Sequence, residues 1–308
     1  MNRWTVLAAA AAFGTVVADA HAVFVLGVDR TADRVSLYSG VDGSLVNNAF
    51  ITDAASAATY DFNTPIEAIQ VGQEIWISDQ ISDAIFRFSL GGTYLSKITG
   101  LDDIRGISLI GNQVHAIVNG TTSNTSFPSV TRSLIRFDAS GGFVNSFPLQ
   151  GSSWDVVPFG NDLLISESDA DGIYRYSAAG AVVATFTDTA STGINFPQQM
   201  HVRYNGNILA AGFSGALNAG IYEFLADGTR QTTYAGGFGG RGILELLNGN
   251  YLFTKGDGVF VIDPAANTFG PAVLAGNMGF LNPLTAIPEP ASLSLLSLGS
   301  LALLRRAR

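Results

Sequence analysis

The chain contains no cysteine. Disulfides, thiolate metal sites and a cysteine nucleophile are therefore excluded. Histidine is nearly as scarce, with only His21, His115 and His201. A structural zinc set is excluded with it, as is any site needing three imidazoles inside one folded domain. Lysine is confined to Lys97 and Lys255, only 13% of residues are charged, and the net charge is −9. A chain so poor in cations is a bad partner for nucleic acid, which demands many positive groups aimed at phosphates. Its negative charge also disfavours anionic membrane surfaces. No phosphate-cradling loop, nucleophile elbow or metalloprotease helix occurs.

Apolar residues and glycine are abundant instead, at 47% and 35 residues. A chain of 308 residues with that composition buries a core large enough to dispense with disulfides.

Both ends have the pattern of processing signals. Arg3 precedes an alanine-rich apolar run from Val6 to Val17, followed by the small-x-small sites Ala18-Asp19-Ala20 and Ala20-His21-Ala22. This predicts a signal peptide over 1–22, cut by signal peptidase after Ala20 or Ala22. At the other end, Pro288-Glu289-Pro290 stops any preceding strand, Leu293 to Leu304 forms an apolar transmembrane helix, and Arg305, Arg306 and Arg308 hold the tip on the cytoplasmic side. An N-terminal anchor and a permanent tail anchor are the alternatives. Loss of both ends, with Glu289 kept, leaves 12 Lys+Arg against 24 Asp+Glu, a net charge of −12.

The C-terminal segment 288–308 closely resembles the PEP-CTERM sorting signal of Gram-negative bacteria. The resemblance implies an exosortase-type processing peptidase as partner and export across the inner membrane. It further implies transient C-terminal anchoring, then a cell-surface or extracellular location associated with exopolysaccharide and biofilm.

Between the ends, an aromatic strand followed by a glycine turn recurs. Its copies begin at Val35, Ile85, Leu134, Ile173, Ile221 and Val259, which are 38 to 50 residues apart. Each copy has room for four short strands joined by turns such as Asp42-Gly43, Gly91-Gly92 and Asn205-Gly206-Asn207. The spacing predicts an all-β, six-bladed β-propeller over 23–287, with a seven-bladed ring or an open β-solenoid as alternatives. The first copy lacks an opening strand. The stretch Phe280–Ile287 echoes Phe62–Ile69, so a C-terminal strand is expected to complete the first blade and close the ring. The unit Phe62…Pro65-Ile66-Glu67-Ala68-Ile69…Ile75-Trp76-Ile77…Ile85-Phe86-Arg87-Phe88…Gly91-Gly92 is similar to NHL-type and streptogramin-lyase-like propeller repeats.

Aligning the opening strands puts Glu67, Arg105, Asp155, His201, Arg241 and Thr285 in one row, expected to ring a channel mouth where ligands bind. In the enzyme reading, a hydrolase or lyase, His201 is the acid/base and Glu67 or Asp155 its partner. In the structural reading the charges simply pair with each other. The resemblance implies two histidines or a carboxylate–asparagine metal cluster for catalysis at this mouth, and His201 is the one histidine in the row. His115 alternates with apolar residues and is expected to be a hydrogen-bonded packing residue. Glu167, Asp169 and Asp171 before Gly172 form a calcium candidate, although the full calcium-loop pattern is missing. The glycine-rich 236–240 stretch is expected to be a connection between blades. The expected function is a surface or matrix module binding extracellular polysaccharide or a surface protein, with propeller hydrolase or lyase as the alternative.

Overall fold

The computed structural model describes residues 24–53, 59–120, 127, 131–214, 219–234 and 237–285. The predicted signal peptide and sorting signal lie outside them. Among the described residues no helix is long and apolar enough to cross a membrane.

Blade one contains β1 (Phe24–Asp29), β2 (Arg34–Ser39) and β3 (Leu45–Thr52); blade two is β4 (Pro65–Val71), β5 (Glu74–Asp79), β6 (Ala84–Ser89) and β7 (Tyr94–Thr99). Blade three is β8 (Ile104–Ile110), β9 (Gln113–Val118), β10 (Ser133–Asp138) and β11 (Phe143–Pro148). Blade four is β12 (Ser153–Phe159), β13 (Asp162–Glu167), β14 (Gly172–Ser177) and β15 (Val182–Asp188). After the one-turn helix α1 (Thr189–Thr192) comes blade five, β16 (Pro197–Val202), β17 (Ile208–Gly212), β18 (Gly220–Phe224) and β19 (Arg230–Tyr234). Blade six is β20 (Gly242–Glu245), β21 (Tyr251–Lys255), β22 (Gly258–Asp263) and β23 (Thr268–Leu274), and the last strand is β24 (Met278–Leu284).

Six four-stranded antiparallel sheets result, and the first has the order β24-β1-β2-β3. The expected closure therefore holds: Phe24 pairs with Leu284, Leu26 with Asn282 and Gly27 with Leu281. The six inner strands β24, β4, β8, β12, β16 and β20 contact one another in that cyclic order around one axis.

The fold follows from strands that are apolar on both faces. One apolar layer fills each gap between neighbouring blades, such as Leu26, Val28, Phe86 and Phe88 between blades one and two. Leu244, Leu252, Val25 and Tyr38 fill the gap where blade six meets blade one. Each large side chain so buried contributes about 1.5–3 kcal/mol. The outer strand β7 alternates half-buried and exposed residues, which leaves a polar rim. The turns use glycine as expected: Gly92 and Gly141 sit at φ 82° and 93°, where a side chain would be strained.

Two features differ from expectation. Helix α1 was not anticipated; Asp188 caps it through a capping box with Ser191, and Gly193 at φ 81° ends it. The echo of the opening strand is also shifted by five residues. Met278 pairs with Asp29 as Pro65 pairs with Asp79, and Leu281 pairs with Gly27 as Ala68 pairs with Ile77. Phe280, not Thr285, is therefore the counterpart of Glu67.

Candidate functional site

Five of the six inner strands carry a register shift near their start, between Pro65 and Glu67, Ile104 and Ile107, Ser153 and Val156, Pro197 and Met200, and, in β24, opposite Gly27 to Asp29. Ala68, Ile107, Val156, Met200, Ile243 and Leu281 pair with equivalent residues of the second strands (Ile77, Ala116, Ile165, Ala210, Phe253 and Gly27), and counting back from them gives two layers. The inner layer is Glu67, Gly106, Asp155, Gln199, Gly242 and Phe280. The layer one residue earlier is Ile66, Arg105, Trp154, Gln198, Arg241 and Gly279. Ile66, Trp154 and Phe280 form one buried cluster although they belong to blades two, four and one, so the side chains meet across the axis.

The inner layer closes the axis. Glu67 is 2% exposed; its Oε2 accepts from the Ile107 N–H (2.6 Å) and its Oε1 from Asn282 Nδ2 (2.7 Å). Asp155, also 2% exposed, accepts from the N–H groups of Met200 and Val156, both at 2.7 Å. Gln199 Oε1 accepts from Ile243 N–H (3.0 Å) and Leu281 N–H (2.9 Å), while its Nε2 donates to the Leu281 carbonyl (2.6 Å). Each long side chain thus stitches its blade to another. The glycines between them allow the strands to crowd: a Cβ on Gly242 would lie 2.6 Å from Thr254 Oγ1, and one on Gly279 2.5 Å from the Ile66 carbonyl oxygen.

Burial, with the charge of Asp155 added, pushes the Glu67 carboxyl well above the usual carboxylate range. Burial pushes Asp155 up to about 7, against the two backbone N–H groups that favour its anion.

The outer layer is different. Arg105 lies 4.0 Å from the centre of the Trp154 ring and is held there by Asp103 (3.0 Å), Ser152 Oγ (2.9 Å) and the Ser153 carbonyl (3.2 Å). Trp154 starts a row of rings, with centroids 5.8 Å to Phe196, 5.2 Å on to Phe213 and 5.6 Å on to Phe238. Phe238 is 65% exposed. A backbone ladder fixes the row: Phe213 N–H donates to Phe196 O (3.1 Å) and Gly239 N–H to Phe213 O (2.9 Å). Phe196 itself sits at φ 50°, a left-handed conformation that is costly for a bulky residue. Asp171 holds it there by accepting the Phe196 N–H at 2.8 Å.

Arg241 closes the arc, its guanidinium 5.0 Å from the Phe213 ring centre. Trp154 Nε1, Gln198 Oε1 and Arg241 Nε, equivalent positions of three successive blades, are all sealed from solvent without a hydrogen-bond partner.

The predicted row is thus divided. Glu67 and Asp155 stand in the inner layer, Arg105 and Arg241 one residue earlier, His201 two residues later. The alternating charges do not pair with one another: Arg105 pairs with Asp103. His201 Nε2 is buried and unpartnered, and burial pushes the ring down to about 4, with Glu245 opposing. Thr285 is exposed at the other mouth, where its N–H and hydroxyl both donate to Gln70 Oε1 at 2.9 Å. There it borders a cavity of about 500 Å³ with Asn282, Ser108 and Leu109.

The calcium trio does not converge. Glu167 accepts from the Tyr176 hydroxyl (2.6 Å), Asp169 pairs with Arg132 (2.7 Å), and Asp171 holds Phe196 and Asn195. Among the described residues no three His, Asp or Glu form a metal-binding group. His115 packs as expected, its Nε2 accepting from Arg136 Nε at 2.9 Å and its Nδ1 facing the Gln113 carbonyl at 3.3 Å.

No protein-family model matches the chain, and no curated protein matches it in sequence. Solved structures do match it in fold. A chain of a nidogen/laminin complex superposes with TM-score 0.64 at 12% identity, covering 85% of this chain and 98% of that one. A protein of unknown function from Bacteroides caccae gives TM-score 0.60 at 10% identity, over 85% and 99%. A streptogramin B lyase gives 0.53 at 14% identity, over 86% and 82%. At such identities the likeness is one of fold alone.

Proposed function

We propose that the chain is an exported propeller that binds a glycan at the mouth formed by Arg105, Trp154, Gln198 and Arg241, and that it has no turnover of its own. The supporting observation is the contrast in hydrogen bonding. Every carboxylate oxygen of Glu67 and Asp155 already holds an N–H group. The mouth beside them carries an aromatic row that ends in the exposed Phe238, and Arg241, whose side chain has no hydrogen-bond partner among the described residues. An aromatic side chain has few torsions to lose when a sugar stacks on it, which favours binding. The hydrolase or lyase reading is less well supported, because His201 stands two residues along its strand from the layer of Glu67 and Asp155, and its buried Nε2 is bonded to neither carboxylate.

The ends of the chain support the cellular part of the proposal. The Pro288-Glu289-Pro290 element, apolar run and arginine tip fit sorting by an exosortase-type peptidase at the cell envelope.

The test is retention of the full-length chain, in detergent, on a panel of immobilised polysaccharides. Phe238→Ala, at an exposed position, is expected to weaken retention about tenfold, the worth of one lost stacking contact. Retention on none of them, or a chemical turnover that His201→Ala abolishes, would refute the proposal.

A further inference from the structure

We infer that the ligand at this mouth carries a carboxylate on an apolar-faced ring, as a uronic-acid sugar does, and that Arg241 receives that carboxylate. This deepens the glycan reading and rests on it.

Arg241 is singular among the described arginines. The other nine each donate to a protein acceptor. Among the described residues Arg241 has neither a side-chain hydrogen-bond partner nor an ion-pair partner, and burial acts on it with no neighbouring charge to offset it. The internal segments 54–58, 121–126, 128–130, 215–218 and 235–236 contain no Asp or Glu. A guanidinium stays charged at any physiological pH, and a half-buried unpaired one is costly until an anion meets it.

Geometry narrows the anion. A guanidinium centred 5.0 Å from the Phe213 ring, its Nε buried, has its terminal N–H groups unbonded, and the fork they form matches a planar, two-pronged acceptor. Phosphate sites gather several cations or backbone N–H groups, whereas here a single unpaired cation is present. Beside it, Phe238 packs against Phe213 at 5.6 Å with the ring planes tilted by 48°, and its own largely exposed ring offers a platform for the C–H face of a sugar.

The charge of the whole domain adds a constraint. A chain of net charge −9 repels a dense polyanion, so one local cation favours a polymer whose carboxylates are spaced by neutral sugars.

The experiment compares hyaluronan, in which uronate alternates with a neutral sugar, with its carboxyl-reduced form, alginate and polyglutamate, all against the full-length chain in detergent. Hyaluronan is expected to bind about tenfold or more tightly than its reduced form and more tightly than alginate. Arg241→Gln removes the preference for the native polymer, and Arg241→Lys restores part of it. Phe238→Ala weakens both forms alike. Equal binding of native and reduced hyaluronan by the unmodified chain overturns the inference but leaves glycan binding standing. Polyglutamate bound as tightly as hyaluronan overturns it in favour of an acidic peptide. No polysaccharide bound at all, neutral or acidic, refutes the glycan reading itself.

Discussion

At the axis of the ring, Glu67, Asp155 and Gln199 have every side-chain oxygen engaged by N–H groups of other blades or of their own strand. One residue earlier on the same strands, Trp154, Gln198 and Arg241 each keep a buried polar atom without a partner. The two layers share strands and similar burial, so position alone does not separate them. Their hydrogen bonding does. Groups that are fully bonded within the protein hold the ring together, whereas an unbonded cation such as Arg241 is left to water or to a ligand.

The largest effect should come from disturbing the bonded layer. Gln199→Glu would set a third carboxylate beside Glu67, whose Oε1 is 3.5 Å from Gln199 Nε2, and would lose the donor to the Leu281 carbonyl. With no cation in that layer, the expected loss is about 3–5 kcal/mol of unfolding free energy by urea titration. Gly279→Ala should follow at about 1–3 kcal/mol, because its methyl would press on the Ile66 carbonyl and Val28 Cγ2, each 2.5 Å from an ideal Cβ. A Gln199→Glu protein as stable as its parent would mean that the axis is open to water.

How much of this could be read in advance differs between the layers. The blade count, the hairpin turns and the closure by a C-terminal strand were legible, because glycine turns and aromatic strands repeat with a period. The row of inner side chains was legible only at Glu67 and Asp155. In blades three and six the inner position is Gly106 or Gly242, which offers no side chain, so the neighbouring arginine stood out instead. Pro283 imitated Pro65 and moved the echo five residues, which placed Thr285 in the row and concealed Phe280. The aromatic wall was not legible at all. Phe196, Phe213 and Phe238 come from three separate connections with no common spacing, and Asp171, the residue that sets Phe196, was seen only as a possible calcium ligand. The sole hint lay in Gly237 and Gly239, flanking an otherwise unexplained phenylalanine.

A second, intermediate effect separates the layers by pH. The folded pKa of Asp155 is raised to about 7 by burial, above the ordinary value near 3.9 of the unfolded chain. The folded state therefore holds a proton that the unfolded state has released. The stability this contributes is fully present below about pH 4, is lost as pH rises, and is gone above about pH 7. Between those limits the slope from this one proton approaches about 1.4 kcal/mol per pH unit. Asp155→Asn should lower stability at pH 5, because its amide faces an N–H donor, yet flatten the decline between pH 5 and 8. Thermal unfolding across that range measures it, and an unchanged slope would show that the proton resides elsewhere.

The smallest effect is the sharpest comparison, since it concerns two arginines at equivalent positions, both stacked on an aromatic ring. Arg105 is tied to Asp103, Ser152 and the Ser153 carbonyl, so Arg105→Gln strands several partners and should cost about 1–3 kcal/mol. Arg241 is tied to nothing but the face of Phe213, so Arg241→Gln should change stability by no more than about 0.5 kcal/mol. Losing a buried, unbonded charge could even raise the melting temperature slightly, since the cost of desolvating that charge disappears with it. Matched urea titrations of the two variants decide the matter. Equal losses would mean that Arg241 supports the fold as Arg105 does, and the mouth would then hold no cation available to a ligand.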